Sequence, residues 1–134
     1  MGTTSVGATL ISASLEVNSN RHLKQFCGSL TPENYGEGKW EGTLTTVLEF
    51  GTTAKGILDA LLAPALVQRQ IQLKATSGSK NCAIQFAGTK ASGTTLFSDR
   101  DGNMTVEYKW QGTYHATFGN WCKVIVTNAV QTMP

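Results

Sequence analysis

Charged side chains are scarce in this chain. Asp, Glu, Lys and Arg make up 15% of its 134 residues, against about a quarter in an average soluble domain. A monomer normally covers its surface with such residues, so the deficit suggests that other copies of the chain cover part of it. A solvated, Thr-rich β-sheet is the alternative explanation. The formal net charge of +2 comes without a cluster of Lys and Arg, so tight binding to nucleic-acid phosphates is not expected.

Long apolar runs are also absent, and none reaches the length of a membrane-spanning helix. The opening MGTTSVG has neither the basic start nor the apolar run of a signal peptide. Val6 stands where a myristoylation signal requires Ser or Thr. We therefore expect a protein without a membrane anchor, made and kept in cytoplasm-like conditions.

Close pairs of metal ligands are missing as well. Cys27, Cys82 and Cys122 are far apart and form no C-x-x-C pair, and His22 and His115 add none. We expect each cysteine to be a reduced, buried, small apolar side chain. His115 is interpreted as a structural histidine with its hydrogen bonds satisfied. The strings GTTAKG and SGSKN lack P-loop spacing, so the prediction is no metal, no cofactor, no catalytic residue and no enzyme activity.

Period-two alternation of apolar and polar residues predicts strands at 11–17, 40–50, 82–86, 104–111 and 122–126, with another in LVQRQIQLKA. In the second and fourth of these, one side is apolar and is predicted to face the core: Trp40, Leu44, Leu48 and Phe50, then Met104, Val106, Tyr108 and Trp110. In the first strand Ile11, Ala13, Leu15 and Val17 form the apolar side. Trp121 is also interpreted as a core residue.

One short helix is predicted in TAKGILDALLA. Thr53 is a suitable N-cap, and Pro64 cannot continue the helical hydrogen bonds. Lys55 and Asp59 should point outward. The apolar residues at helical spacing, which are Ile57, Leu58, Leu61 and Leu62, should pack on the sheet as a lid over the core.

Two segments are predicted to be loops. Residues 18–20 and 31–39, rich in Asn, Gly and Pro, bracket a polar hairpin arm that contains Arg21, His22 and Lys24. The second loop runs from Gly88 to Asn103, and its Asp-Arg-Asp-Gly sequence indicates a turn. Long loops in a small domain are usually functional or disordered.

The order of motifs resembles the tail tube (major tail) proteins of long-tailed bacteriophages. The resemblance rests on the following segments in chain order: LISASLEVNSN, a polar arm, GKWEGTLTTVLEF, the helix TAKGILDALLA, the strands RQIQLKA and CAIQFAG, a loop, and NMTVEYKWQGTYHATFG. They span residues 8–119. The resemblance implies one domain over residues 1–134: a β-sandwich with a flanking helix. The chain lacks the long N-terminal segment of many members and an appended immunoglobulin-like domain.

The resemblance also implies a function. Six copies would form a ring whose inner sheets join into a β-barrel, and stacked rings would form the tube through which double-stranded DNA leaves the capsid without being bound specifically. Further partners would be the tape measure, the initiator or distal tail protein and the terminator. The protein would be made in the cytoplasm of the bacterial host and would reside in the virion tail.

Residue assignments follow from this hypothesis. A channel for DNA should be polar and modestly negative, so we predict that the lumen is lined by Glu41, Thr43, Thr45, Glu49, Thr105 and Glu107. The arm and the second loop are predicted to contact other subunits or rings through Arg21, His22, Lys24, Thr94, Thr95, Phe97, Asp99 and Arg100.

Alternatives remain open at this point. Another tail component of the same fold would share these features. A sugar- or receptor-binding β-sandwich would use loop residues Tyr35, Trp121 or Arg100. A small hydrolase would use His115 with Asp99, although no nucleophile motif accompanies them.

Overall fold

A computed structural model describes residues 9–25, 27–28, 31, 34–62, 68–91 and 97–128. This part of the chain is mainly β, with one short helix. Its elements in order are β1 (Leu10–Asn18), β2 (His22–Lys24), β3 (Asn34–Gly36), β4 (Glu41–Glu49), α1 (Thr52–Leu62), β5 (Arg69–Ser77), β6 (Lys80–Lys90), β7 (Ser98–Arg100), β8 (Asn103–Gly112) and β9 (Cys122–Thr127). Thr94, Thr95 and Pro64 lie outside the described residues.

Seven strands form one antiparallel sheet in the order β1-β4-β8-β6-β5, with β7 on β8 and β9 on β6. The sheet has two halves that meet where the end of β6 pairs with the end of β8, from Gly88 opposite Gly112 to Lys90 opposite Trp110. Along the rest of β6 the same edge carries β9. β2 and β3 form a separate two-stranded ribbon. The arrangement is consistent with the β-sandwich expected from the sequence.

The core lies on one side of this sheet. Its fully buried members come from both halves and from the helix: Leu44 and Leu48 on β4, Val106, Tyr108 and Trp110 on β8, Phe86 on β6, and Ala54 and Leu58 on α1. Alternation along β4 and β8 directs every second residue to this side, although Thr46 is buried without belonging to the cluster and Met104, which was also predicted to face the core, is exposed. The predicted core side of both strands is therefore confirmed for Leu44, Leu48, Val106, Tyr108 and Trp110.

The helix covers the core as predicted, but its details differ. Ala54 and Leu58 are buried, and the Tyr108 hydroxyl donates a hydrogen bond of 2.7 Å to the Ala54 carbonyl. Lys55 and Asp59 do point outward and form an ion pair of 3.0 Å. The helix begins at Thr52, and the first helical bond runs from Lys55 N–H to the Gly51 carbonyl. Thr53 is thus inside the first turn and is not the N-cap.

The predicted apolar face of the helix is correct only in part. Ile57 packs against the core, whereas Leu62 is exposed. Leu62 occupies the last position of the helix. No helix in the described part of the chain has the length and apolarity needed to cross a membrane.

Several apolar residues predicted to be buried are exposed. Trp40 precedes β4 and is 51% exposed, because the alternation of the sequence continues one residue beyond the strand. Cys27 and Cys82 are exposed, and only Cys122 is half-buried. In β1, Leu15 packs on the core, but Ile11, Ala13 and Val17 are exposed since β1 is the last strand of the sheet.

The hairpin arm is confirmed, and the second loop is shorter than predicted. β2 and β3 pair from His22 opposite Gly36 to Lys24 opposite Asn34. β6 continues through Lys90, and β7 pairs with β8, so 88–90 and 98–100 are strand instead of loop. The turn expected from Asp-Arg-Asp-Gly is present: Asp101 and Gly102 both have positive φ, as a two-residue hairpin turn requires.

Candidate assembly surfaces

The side of the sheet opposite the core is polar. The strand register aligns Glu16, Thr43 and Gln111 in one row across β1, β4 and β8, followed by Ser14, Thr45 and Lys109, then Ser12, Val47 and Glu107. We call this surface the polar face. Four residues predicted to line a lumen lie on it, namely Thr43, Thr45, Glu49 and Glu107, and Glu41 lies at its end. Thr105 is opposite Glu49 in the strand register but is buried.

Thr105 is covered because the short strand β7 lies beside it. Its hydroxyl donates a hydrogen bond of 3.2 Å to the Ser98 carbonyl. The polar face also includes Ser12, Ser14 and Glu16 of β1, which were not predicted to line the lumen. Their alternation was visible in the sequence, but nothing local to β1 indicates that it pairs with β4.

The polar face carries more negative than positive charge. Glu16, Glu41, Glu49 and Glu107 supply four carboxylates against the single ammonium group of Lys109. Lys109 lies 3.4 Å from Glu107, whereas the other three carboxylates have no ion pair among the described residues. Glu49 lies at one end of β4, whereas Glu16 and Glu41 lie together at the other, where β1 ends and β4 begins.

A shallow cleft of about 200 Å³ opens at that end of the polar face. Its lining, which defines the acidic cleft, consists of Glu16, Val17, Asn18, Glu41, Gly42, Thr43 and Gln111. The Gln111 amide donates a hydrogen bond of 3.3 Å to the Gly42 carbonyl, and the Thr43 hydroxyl lies 3.5 Å from Gln111 Oε1. These bonds hold neutral polar groups around two unpaired carboxylates.

The arm, residues 21–25 and 34–38, has two different sides. On one side Leu23 is directly opposite Tyr35, and the two are 75% and 53% exposed. The Arg21 guanidinium lies 5.1 Å from the centre of the Tyr35 ring and donates to Glu37 over 3.0 Å. Arg21 is therefore held by both a ring and a carboxylate.

The other side of the arm is basic. The His22 ring and the Lys24 stem lie over Gly36, where an added Cβ would overlap both. Lys24 is exposed and has no ion pair within the described residues. The base of the arm is fastened by hydrogen bonds from Gly38 N–H to the Asn20 carbonyl and from the Asn20 amide to the Lys39 carbonyl.

The remaining residues predicted as contacts lie around β7. Phe97 is half-exposed, and its ring packs edge-on against Phe50 at 5.6 Å. Asp99 accepts a hydrogen bond of 3.1 Å from Gly102 N–H and thereby stabilises the turn. Arg100 is exposed at the end of β7.

An apolar surface extends the core side of the sheet beyond the core. The register aligns Leu73, Ile84 and Val124 in one row across β5, β6 and β9, and Ala75, Cys82 and Val126 in the next. The row before them, Ile71, Phe86 and Cys122, packs in or on the core. Val124 and Val126 are 58% and 66% exposed. We call the two outer rows the overhanging apolar face.

Within the described residues, no arrangement typical of a metal site is found. His115 Nε2 lies 3.0 Å from the Gln70 amide, and its ring contacts Phe118 at 5.1 Å, but its buried Nδ1 has no partner among the described residues. The expectation of a fully satisfied histidine was thus wrong for one ring nitrogen. The contacts of His115 and Asp99 do not include each other, and the described residues hold no group of three metal-ligating side chains.

The three residues of the alternative sugar site have separate surroundings. Tyr35 lies under Arg21 in the arm, the Trp121 ring packs edge-on against Phe86 at 5.9 Å, and Arg100 ends β7.

Desolvation by burial raises the pKa of the Cys122 thiol above its usual value. The raised pKa favours the protonated thiol over the reactive thiolate.

Comparison with known proteins gave no match, either to a protein-family model or to a curated protein.

Proposed function

We propose that this chain is a structural protein that assembles with copies of itself into sixfold rings, which stack into the tail tube of a long-tailed bacteriophage. The observation that carries the proposal is the overhanging apolar face. Exposed Val124 and Val126, with Cys82 and Ala75, continue the core surface into solvent, and half-buried Leu73 and Ile84 connect them to the core. Apolar surface of this kind on a soluble chain marks a contact with another molecule.

The open sheet edges support assembly with further copies. β1 and β5 end the strand order of the sheet, and β9 pairs only with β6 in the described part of the chain. Among the described residues, each of these strands has one edge that pairs with no strand, and such an edge invites pairing with another strand. Joining such edges around a ring would close the sheets into a barrel and would remove the edges.

The polar face suits the inside of that barrel. Thr, Ser and Gln side chains dominate it, and its carboxylates outnumber its single lysine. DNA phosphates would be weakly repelled by such a lining and would find few cations to bind. In this role double-stranded DNA passes through during genome delivery, and the tube ends meet the terminator, the distal tail protein and the tape measure.

Negative-stain electron microscopy of the purified protein, with light scattering over a range of concentrations, tests the proposal. We expect sixfold rings or tubes to form as the concentration rises. A chain that remains monomeric at every concentration, and with tail-initiation proteins added, would contradict the proposal and would favour a binding domain.

A pair of variants tests whether assembly depends on the overhanging apolar face. Val124→Glu with Val126→Glu places two charges on the overhanging apolar face and should keep the protein monomeric. Leu62→Glu places a charge on an exposed leucine at the end of α1 and should leave assembly unchanged. Circular dichroism establishes that each variant is folded.

A further inference from the structure

The acidic cleft has carboxylates that no group in the described part of the chain neutralises. Glu16 and Glu41 line it with Val17, Asn18, Gly42, Thr43 and Gln111, and neither carboxylate has an ion pair in the described part of the chain. Three of the lining residues belong to β1, the last strand of the sheet. A copy that lies beside β1 would therefore reach the cleft first.

The arm carries the opposite charge. The Arg21 charge is already held by Glu37 and the Tyr35 ring. Lys24, which lies beside His22 on the basic side of the arm, forms no ion pair in the described part of the chain. A two-stranded ribbon is marginally stable by itself, so the arm would gain order from docking on another surface.

On the basis of the proposed ring assembly, we propose that the arm of one copy docks its Lys24 side into the acidic cleft of the neighbouring copy in the same ring. Charge complementarity selects a second copy as the occupant: Lys24 and His22 face Glu16 and Glu41. The arm connects the end of β1, at Asn18, to the start of β4, at Glu41, so it lies beside the cleft of its own copy. Among the described residues, Lys24 nevertheless forms no ion pair with that cleft. The docking is thus between copies.

In each pair of copies such a contact uses two different surfaces, the arm of one copy and the cleft of the other, and leaves one cleft and one arm free. Contacts of this heterologous kind repeat around a rotation axis and close into a ring. Because arm and cleft lie at the same end of the sheet, each copy meets its lateral neighbour through them. The contact is electrostatic, so the concentration needed for ring formation should rise with salt.

Charge reversal tests the pairing. Lys24→Glu and Glu16→Lys, each alone, should raise the concentration needed for ring formation at least tenfold, as measured by light scattering. An equimolar mixture of the two variants should assemble like the natural protein, because an alternating ring then contains only pairs of opposite charge. The double variant Lys24→Glu with Glu16→Lys should assemble as well.

Matched controls use exposed charges elsewhere. Lys80→Glu and Asp59→Lys make the same changes in net charge on the β5–β6 turn and on α1 and should leave the threshold unchanged. Circular dichroism checks the fold, and the milder Lys24→Gln and Glu16→Gln should give smaller shifts in the same direction.

The outcomes separate this inference from the proposed function. If the natural protein forms rings and both single variants do so at the same concentration, the arm does not dock in the cleft. Rescue by the double variant without rescue in the mixture would place the contact within one copy and would overturn the inference. A natural protein that never assembles would overturn the proposed function, and this inference with it.

Discussion

The indole ring of Trp121 lies directly against the backbone of Gly42. A Cβ built on Gly42 would overlap the ring, and Gly112 on the adjacent strand β8 leaves room for the same ring. The two glycines thus form a slot in the sheet for an aromatic side chain that also packs edge-on against Phe86. Trp121 joins the two halves of the sheet through this slot.

Gly42→Ala should destabilise the fold by about 1–3 kcal/mol, because the added methyl group would displace the Trp121 ring from a filled site. Chemical denaturation of the unassembled protein measures this change. Gly56→Ala is the matched control, since an added Cβ on this helical glycine meets open space and should stabilise the helix by about 0.5–1 kcal/mol. Equal effects of the two substitutions would contradict the slot.

Leu58→Ala should cost about 2–5 kcal/mol in the free energy of unfolding, because Leu58 is buried in the cluster that joins α1 to β4 and β8. Leu62→Ala removes the same atoms from an exposed site and should change stability by no more than about 0.5 kcal/mol. Urea denaturation of both variants checks the difference. Similar losses at both positions would mean that the helix is seated differently on the sheet.

Tyr108 predicts a dependence of stability on alkaline pH. Burial, with the nearby Asp59 charge adding to it, raises the pKa of the Tyr108 hydroxyl to about 12, above the value of about 10 for an unfolded chain. The contribution of this raised pKa to the stability of the fold is complete below pH 10 and is lost as the pH rises from 10 through 12.

Tyr108→Phe should therefore lower stability near neutral pH by about 0.5–1.5 kcal/mol, because it removes the hydrogen bond to the Ala54 carbonyl. Between pH 10 and 12 the natural protein should lose stability faster than the variant. Denaturation curves over this range measure both effects. Parallel curves for the two proteins would show that Tyr108 does not contribute to the alkaline loss.

The strands with two distinct sides were predictable from the sequence. Apolar and polar residues alternate along β8, and along β4 except at Thr46 and Val47, and buried residues recur at every second position from Leu44 to Leu48 and from Val106 to Trp110. The helix was predictable for the same reason, since Ile57, Leu58, Leu61 and Leu62 recur at helical spacing. Local pattern is sufficient where one side of an element is covered within the chain.

Pattern was misleading where the chain does not cover its own apolar residues. Val124, Val126 and Cys82 have the sequence of a buried strand side, but they extend beyond the core. Pairing between distant strands was not readable either. β7 has no apolar alternation and is set by the turn at Asp101 and Gly102, and the cleft exists only because β1 pairs with β4.

The net negative charge of the polar face predicts an effect on the passage of DNA. In the proposed tube each side chain of this face recurs six times per ring, so a small repulsion from phosphate at each site accumulates along the channel. Glu49 is exposed at the end of β4 farthest from the acidic cleft. Glu49→Lys should therefore leave ring formation unchanged while adding a phosphate contact at every copy.

Tubes of Glu49→Lys should release DNA more slowly than natural tubes, and the delay should shrink as salt rises, because counterion screening weakens phosphate contacts. The measurement is DNA release from particles assembled with the variant, at several salt concentrations. Glu49→Gln removes the carboxylate without adding a cation and should give a smaller delay. Asp59→Lys makes the same change in net charge as Glu49→Lys on α1, on the core side of the sheet, and should give none. Release from Glu49→Lys tubes at the natural rate in low salt would exclude the polar face as the lining of the channel.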